Sequence, residues 1–597
     1  MKTLSYIKSA IIAVVCLGCM PAMAQNDTTM LQGSTVTVER EFRPTIQSAG
    51  KIDVQPEPLN ISTTPAEVKY SDYSGNVANP DFNFNDLGFA ETNFSHAKPL
   101  HGFLRGGIGH VNSQLDFNYR VTDRQDIILD VNAAHLAQWG LKTMSQTKIG
   151  LDFSKFFDNA HLYFGANGKN IFFTRYGRYW NYTDVSRGTG IFQLNGYKGY
   201  NAYSCLPQED LSSQWEINTR VGVRSLSDRD VQYKVQTGYE AFIMKRGFVE
   251  HIINTQAMLD YRREEHHAGV DLAVENHMYQ ADMKGFEWSP FKIATGDTVA
   301  KSYHAIKAEP YYQYEGQRFS IHAGINLDLC FGKQKDKVFL PSPNVSFEAK
   351  LTEDWLALYG GAIGDWQTSS VKEHFQLARF LHPENEIATR QTRTYIPVDA
   401  FLGLKMRPHN DILIDIYAHY QLNKYDVFLV PDSMGYFNLT GSDHDCWKIG
   451  GKFYYHYRDV VSILLDGYYN IRNMKNDAFY TMGLPKGKGI DREPWKITLR
   501  VEAKINSKIS LYSSNYIIGS RYVVAPLPTG DFSSELSGNR VVALQPVIDL
   551  NIGAQYSFNR WLSVYLQLNN YLHRKHEIFY GYQTQGINFM AGVNWTF

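Results

Sequence analysis

Four stretches of this chain gather side chains able to do chemistry. Glu264, Glu265, His266 and His267 are consecutive. Carboxylates and imidazoles ligate divalent metals, but adjacent histidines cannot both face one ion without help from elsewhere, so a solvated turn is the expectation. Asp443, His444 and Asp445 fall near the end of a long connection, where they could hold a divalent cation. Between residues 174 and 203, Tyr176, Tyr179, Trp180, Tyr182, Tyr197 and Tyr200 interleave with Arg175, Arg178, Asn181 and Lys198. Aromatic faces with amide and basic neighbours suit a sugar, a peptide or a protein surface. Cys205, Cys330 and Cys446 remain once an export signal removes Cys16 and Cys19, and their wide spacing spells neither a metal site nor a disulfide framework.

No set of a nucleophile, a base and an orienting group can be assembled from these residues. G-x-S-x-G, H-E-x-x-H and phosphate-loop patterns are missing, and Ser520 directly follows Gly519, which is not the spacing of a nucleophile elbow. No enzyme, cofactor or metal is expected. With 59 basic and 60 acidic residues, the formal charge of -1 gives no basic surplus for nucleic acid.

What positions these residues is a chain of 597 residues whose dominant period from about residue 100 onward is two. Trp495, Ile497, Leu499, Val501, Ala503 and Ile505 alternate with Lys496, Thr498, Arg500, Glu502 and Lys504. Ile548, Leu550, Ile552, Ala554, Tyr556 and Phe558 alternate with Asp549, Asn551, Gly553, Gln555 and Ser557. Pleated geometry sends the two sets to opposite faces. Many such runs exceed ten residues, against about 5–6 for globular strands and about 9–11 for a tilted strand crossing a bilayer. Beyond the first residues there is no run of 18 apolar residues, and mean hydropathy is -0.34, which excludes a helical membrane protein. It fits strands that show only alternate residues to lipid. Aromatic residues reach 14%, suited to membrane–water interfaces.

Ten short connections are expected, near 122–126, 158–160, 227–230, 264–267, 315–318, 352–354, 407–410, 457–459, 506–508 and 559–560. Between them lie eleven others, the longest about 172–212, 281–302, 366–394, 425–444, 472–492, 522–542 and 573–583. Short turns on one side and long loops on the other are the asymmetry of outer-membrane barrels. The expectation is an all-β, transmembrane antiparallel β-barrel of about 22 strands over residues 100–597, with both ends on the short-turn side. A lumen so wide would be an aqueous hole unless outer loops, the N-terminal segment or another protein close it.

Residues 1–24 read as a signal peptide: Lys2 and Lys8, an apolar run from Ile11 to Leu17, and Ala22-Met23-Ala24 as the cleavage site. Residues 25–99 are polar, proline-bearing and aperiodic, the composition of a mostly extended periplasmic or lumenal leader. The final strand, Ile587, Phe589, Ala591, Val593, Trp595 and Phe597 alternating with Asn588, Met590, Gly592, Asn594 and Thr596, ends the chain on an aromatic residue.

An export signal, then Ser34-Thr35-Val36-Thr37-Val38-Glu39, then a barrel of about 22 strands resembles the TonB-dependent receptors, in particular relatives from Bacteroidota. The resemblance implies an outer-membrane location and passage or binding of a solute at the cell surface. It also implies that Ser34, Thr35, Val36, Thr37, Val38 and Glu39 stand where the TonB-contacting box would. Val593, Trp595 and Phe597 resemble the C-terminal signal read by the barrel assembly machinery. Lipid and lipopolysaccharide are the surroundings so implied, with Asp443, His444 and Asp445 placed for a cation bridge to the latter. The chain departs from the family between Glu39 and His101, where a globular plug is expected and only an extended leader can be read. That departure keeps a second function open: a non-transporting barrel serving as scaffold or accessory subunit in outer-membrane protein assembly or surface-protein export.

Overall fold

The computed structural model describes residues 101–597 apart from 123, 125, 140–142, 175–210, 227–229, 245–247, 282–301, 333–338, 353–354, 368–369, 382–393, 432–436, 459 and 527–538. Among the described residues the chain forms one antiparallel sheet of 22 strands, each hydrogen-bonded to its neighbours in the chain. The first strand, Gly102–Gly109, pairs with the last, Asn588–Thr596, so the sheet closes on itself and no strand lacks a neighbour on either side. At the closure Gly102 N donates to Phe597 O at 2.8 Å and Phe597 N to Gly102 O at 2.9 Å.

The two-residue rhythm sorts the wall. Ile497, Leu465, Ile552, Tyr556, Leu566, Phe589, Val593 and Trp595 are exposed on the outer skin, whereas Asp549, Asn551, Gln555, Gln567 and Asn588 on the alternate positions are buried toward the lumen. Apolar side chains outside and polar ones inside are what hydrocarbon on one side and water on the other require. Some inward tyrosines lie flat against a glycine of the adjacent strand. A Cβ built on Gly403 would meet Tyr359 Cζ at 2.2 Å, and one on Gly553 would meet the Tyr512 ring at 2.3 Å, so only glycine admits the ring there.

Ten tight turns and eleven other connections alternate around the barrel, as the sequence implied, and both termini of the sheet lie at the turn end. Two expectations need correction. Residues 425–431 and 437–444 are strand, not loop: they belong to the strands Ile412–Pro431 and Phe437–Tyr457, of 20 and 21 residues. A tilted strand spans the bilayer in about 9–11 residues, so their loop-end halves stand clear of it; β-branched and aromatic side chains such as Val427, Phe428 and Val430 keep the pairing going. His266 and His267 are not in a turn but open the strand His266–Ala281, because the turn needs only Glu264, with φ 56°, and Glu265.

Candidate functional site

Among the described residues, a buried cluster at the loop end joins opposite walls of the barrel. The connection between the strands Leu356–Gln367 and Thr394–His409 begins with a helix, α1 (Val371–Leu377), whose start is fixed by a capping box. Ser370 Oγ accepts Glu373 N at 3.0 Å, and Glu373 Oε2 accepts Ser370 N at 2.9 Å. The next two backbone donors, Val371 N and Lys372 N, bond the two oxygens of Glu250 at 3.2 and 2.9 Å. Glu250 is fully buried and reaches them from the barrel wall. The four orphan donors of a helix start are thus largely supplied, half from the helix's own box and half from the wall.

The segment from Val371 to Leu381 crosses the lumen. Val371, Phe375, Ala378, Phe380 and Leu381 form one buried apolar cluster with Phe173 of the fifth strand (Ala160–Thr174), Phe242 of the seventh (Val231–Met244), Phe437 of the sixteenth (Phe437–Tyr457) and Phe579. In a ring of 22 strands the fifth and sixteenth stand on opposite walls, so this cluster is a lid tying the two sides together. Phe380 is its keystone. It stacks on Tyr582 at 3.8 Å between centroids and meets Phe173 and Phe579 edge-on at 6.1 and 5.8 Å. Leu381 bridges to Phe437, and Phe437 N donates to Phe380 O at 3.0 Å. On the other side Lys372 Nζ pairs with Glu240. Burial pulls the Lys372 ammonium down, but Glu240, with Glu216 and Glu373, holds it above its ordinary value.

A second cap lies beside the first. The connection 475–494 carries a short helix, α2 (Asp477–Thr481), and packs Phe479, Leu484 and Ile490 against Phe428 and Met474. Arg492 locks it to the long strand: its Nη2 donates to Val427 O at 2.7 Å and lies 3.3 Å from Asp426, with the guanidinium over the Phe428 ring at 5.0 Å. Arg521 joins the caps, 3.6 Å from Asp491 and donating to Glu577 O at 2.8 Å. His576, nearby, is buried, and burial lowers its pKa below the ordinary value against the opposing pull of its Ile548 carbonyl contact at 2.8 Å.

The chemistry on offer is binding and closure. Beside α1 a recess of about 250 Å³, counted with its opening to solvent, is lined by Gln214, Glu216, Lys372, Gln376 and Arg379 over Ile171, Phe242 and Phe375. Glu216 in its lining is paired with Lys169 Nζ at 3.4 Å and lies 3.5 Å from Gln376 Nε2, while Lys372 is paired with Glu240.

Residues singled out from sequence fall as follows. Ser34 to Glu39 and the aromatic set Tyr176, Tyr179, Trp180, Tyr182, Tyr197 and Tyr200 lie outside the described residues. Val593 and Trp595 face outward on the closing strand, and Phe597 stacks on Tyr119 at 5.9 Å. Asp443, His444 and Asp445 do not form a surface cation site. Asp443 accepts Tyr425 N at 2.9 Å, His444 is buried 3.8 Å from Asp426, and Asp445 bonds Lys475 at 2.6 Å. His266 and His267 point apart, His266 to Tyr312 Oη at 2.6 Å and His267 inward, 3.7 Å from Asp260. Sequence reasoning offered outer loops as one way to close the lumen but did not name the lid residues, although Ser370-Val-Lys-Glu373 before Phe375 is a readable helix-start signature.

No protein-family model matches the chain, and no curated protein is similar to it in sequence. Solved structures do match in shape. The siderophore receptor PirA from Acinetobacter baumannii is 10% identical with a TM-score of 0.61, over 84% of this chain and 81% of that one. The ferripyoverdine receptor of the outer membrane of Pseudomonas aeruginosa is 10% identical at TM-score 0.57, over 84% and 72%. The ferric-catecholate import receptor Fiu from K12 E. coli is 10% identical at TM-score 0.55, over 83% and 82%. The chain therefore shares the barrel fold of these receptors, in its own case a closed antiparallel sheet of 22 strands, and that fold together with its apolar outer skin supports an outer-membrane location.

Proposed function

We propose that this chain is an outer-membrane receptor-like barrel that binds a solute at its loop end and passes it inward when the lid moves. The observation that carries this reading is the lid itself: a segment spans the lumen between opposite walls, held by side-chain packing and hydrogen bonds alone. A barrier of that kind opens without breaking the barrel. The aromatic set from Tyr176 to Tyr200 would supply ligand contacts, and Ser34–Glu39 the contact with TonB or another periplasmic protein. Val593, Trp595 and Phe597 would serve insertion by the assembly machinery, among lipid and lipopolysaccharide. The likeness to Bacteroidota relatives rests on the export signal, Ser34–Glu39 and the barrel, and the lack of a full plug on the short extended reading of the residues between Glu39 and His101.

A second reading has its own support. The lid aromatics, Phe375, Phe380, Phe579 and Tyr582, are buried in one another rather than offered to a ligand, which suits a permanently sealed scaffold in protein assembly or export. Deletion of residues 26–40 separates the two. Lost growth on a candidate nutrient with unchanged co-purifying proteins supports the receptor, and lost co-purifying proteins with unchanged uptake supports the scaffold.

A further inference from the structure

The strand Phe339–Lys350 and its neighbour Leu356–Gln367 both run on past the point where the ladder between them stops. The strand Phe339–Lys350 pairs with Phe319–Gly332 from Phe339 opposite Leu329 to Ala349 opposite Phe319. With Leu356–Gln367 it pairs only from Asn344 opposite Ile363 to Lys350 opposite Ala357. Residues 339–343 and 364–367 thus adjoin without ladder bonds, although 365–367 remain paired on their other side with Thr394–Ile396.

An open sheet edge in hydrocarbon is costly unless its polar groups are satisfied, and here they are provided for. Alternate residues of an antiparallel strand direct both backbone groups to the same neighbour. Tyr395, from the strand beyond, donates its Oη to Pro341 O at 3.2 Å, so Pro341 and, two residues on, Pro343 direct their backbone groups into the gap. Neither has an N–H to leave orphaned. On the other lip Asn326 Nδ2 donates to Gly364 O at 2.6 Å. Side chains stand in for the ladder, and parting the lips costs those bonds rather than a run of backbone ones.

Both sides of this seam are apolar. Outside, Ile325, Phe331, Phe339 and Val345 are exposed to the bilayer, and Pro343 lies level with Ile325. On the lumen side, where the wall is elsewhere mostly polar, Tyr303, Ala305, Cys330 and Leu340 form a buried cluster with Trp366. We propose that the seam is a lateral opening through which the acyl chain of a membrane lipid reaches the lumen-side cluster. The proposal goes beyond the receptor reading and does not depend on the lid moving.

The test is photolabelling of the full chain in liposomes carrying a phospholipid with a diazirine on its acyl chain, with adducts mapped by mass spectrometry. Adducts are expected on Leu340 and Cys330 in addition to outward Phe339 and Val345, while Tyr417, lumen-facing on a fully laddered wall, stays unlabelled. Tyr395→Phe removes one closing bond and should raise Leu340 labelling about fivefold. Pro341→Thr with Pro343→Thr supplies donors for the ladder and should lower it. Adducts confined to outward residues, or Leu340 labelled no more than Tyr417, would overturn the proposal, and that comparison in the unaltered protein stands even where a variant fails to fold.

Discussion

Removing the ring at the centre of the lid should open the barrel. Phe380 is 2% exposed, with rings of three other residues around it. Truncating a buried phenylalanine to alanine costs about 3–5 kcal/mol, the aromatic contacts of about 0.5–1.5 kcal/mol each being part of that sum. The strands keep their own ladders, so the cost falls on the lid alone, which opens as a local unit. At about 1.4 kcal/mol per tenfold, the ratio of open to closed lids rises by about two to three and a half powers of ten. Phe380→Ala should therefore show large conducting steps in planar bilayers where the native protein shows few, and cells carrying it should become sensitive to vancomycin. Phe380→Leu, which keeps most of the volume, should lie between. Heat-modifiable migration on gels confirms that each barrel has folded. A folded Phe380→Ala barrel that conducts no more than the native one refutes the reasoning, since the lid would then not be what closes the lumen.

Leu499 shares the outward face with Ile497 and lies opposite Leu465, so Leu499→Arg should cost about 2–4 kcal/mol near the midplane and sharply reduce the barrel at the cell surface, whereas lumen-facing Arg500→Leu should not; equal surface abundance would show the facing to be misassigned. The packed loop around His576 favours the neutral ring, so above about pH 6.5 its contribution is complete, and as pH falls from there through the lowered folded value the loosened loop takes up a proton that the packed one resists. Hydrogen exchange across 570–587, corrected for intrinsic rates, should lose protection between pH 7.5 and pH 5, and His576→Gln should flatten the change. A native profile already flat would remove His576 from the account.

The barrel was legible in the sequence because lipid imposes a rule on every strand. At Val547–Ser557 the alternation of Ile548, Leu550 and Ile552 with Asp549, Asn551 and Gly553 gives the facing outright, and the burial of the strand repeats it residue by residue. Parity did the same for the termini, since ten turns and eleven loops force both ends to one side. Nothing of that kind governs the caps. Val371, Phe375, Phe380 and Leu381 are few, irregularly spaced and meet partners from strands far away in sequence, such as Phe173 and Phe437, so no local period announces them. The error at 425–444 has the same root: tyrosine, asparagine and glycine suggested a loop, but above the bilayer a hairpin is held by pairing and by Arg492 on Asp426, not by a lipid-facing pattern. The seam was legible in part, since Pro341 and Pro343 in a strand run argue for an unladdered edge. Which neighbour they face is fixed only by the Tyr395 bond to Pro341. What lipid dictates can be read along the chain. What closes the lumen depends on contacts across it, and those are set by the closure of the ring, which brings opposite walls within reach of a single loop.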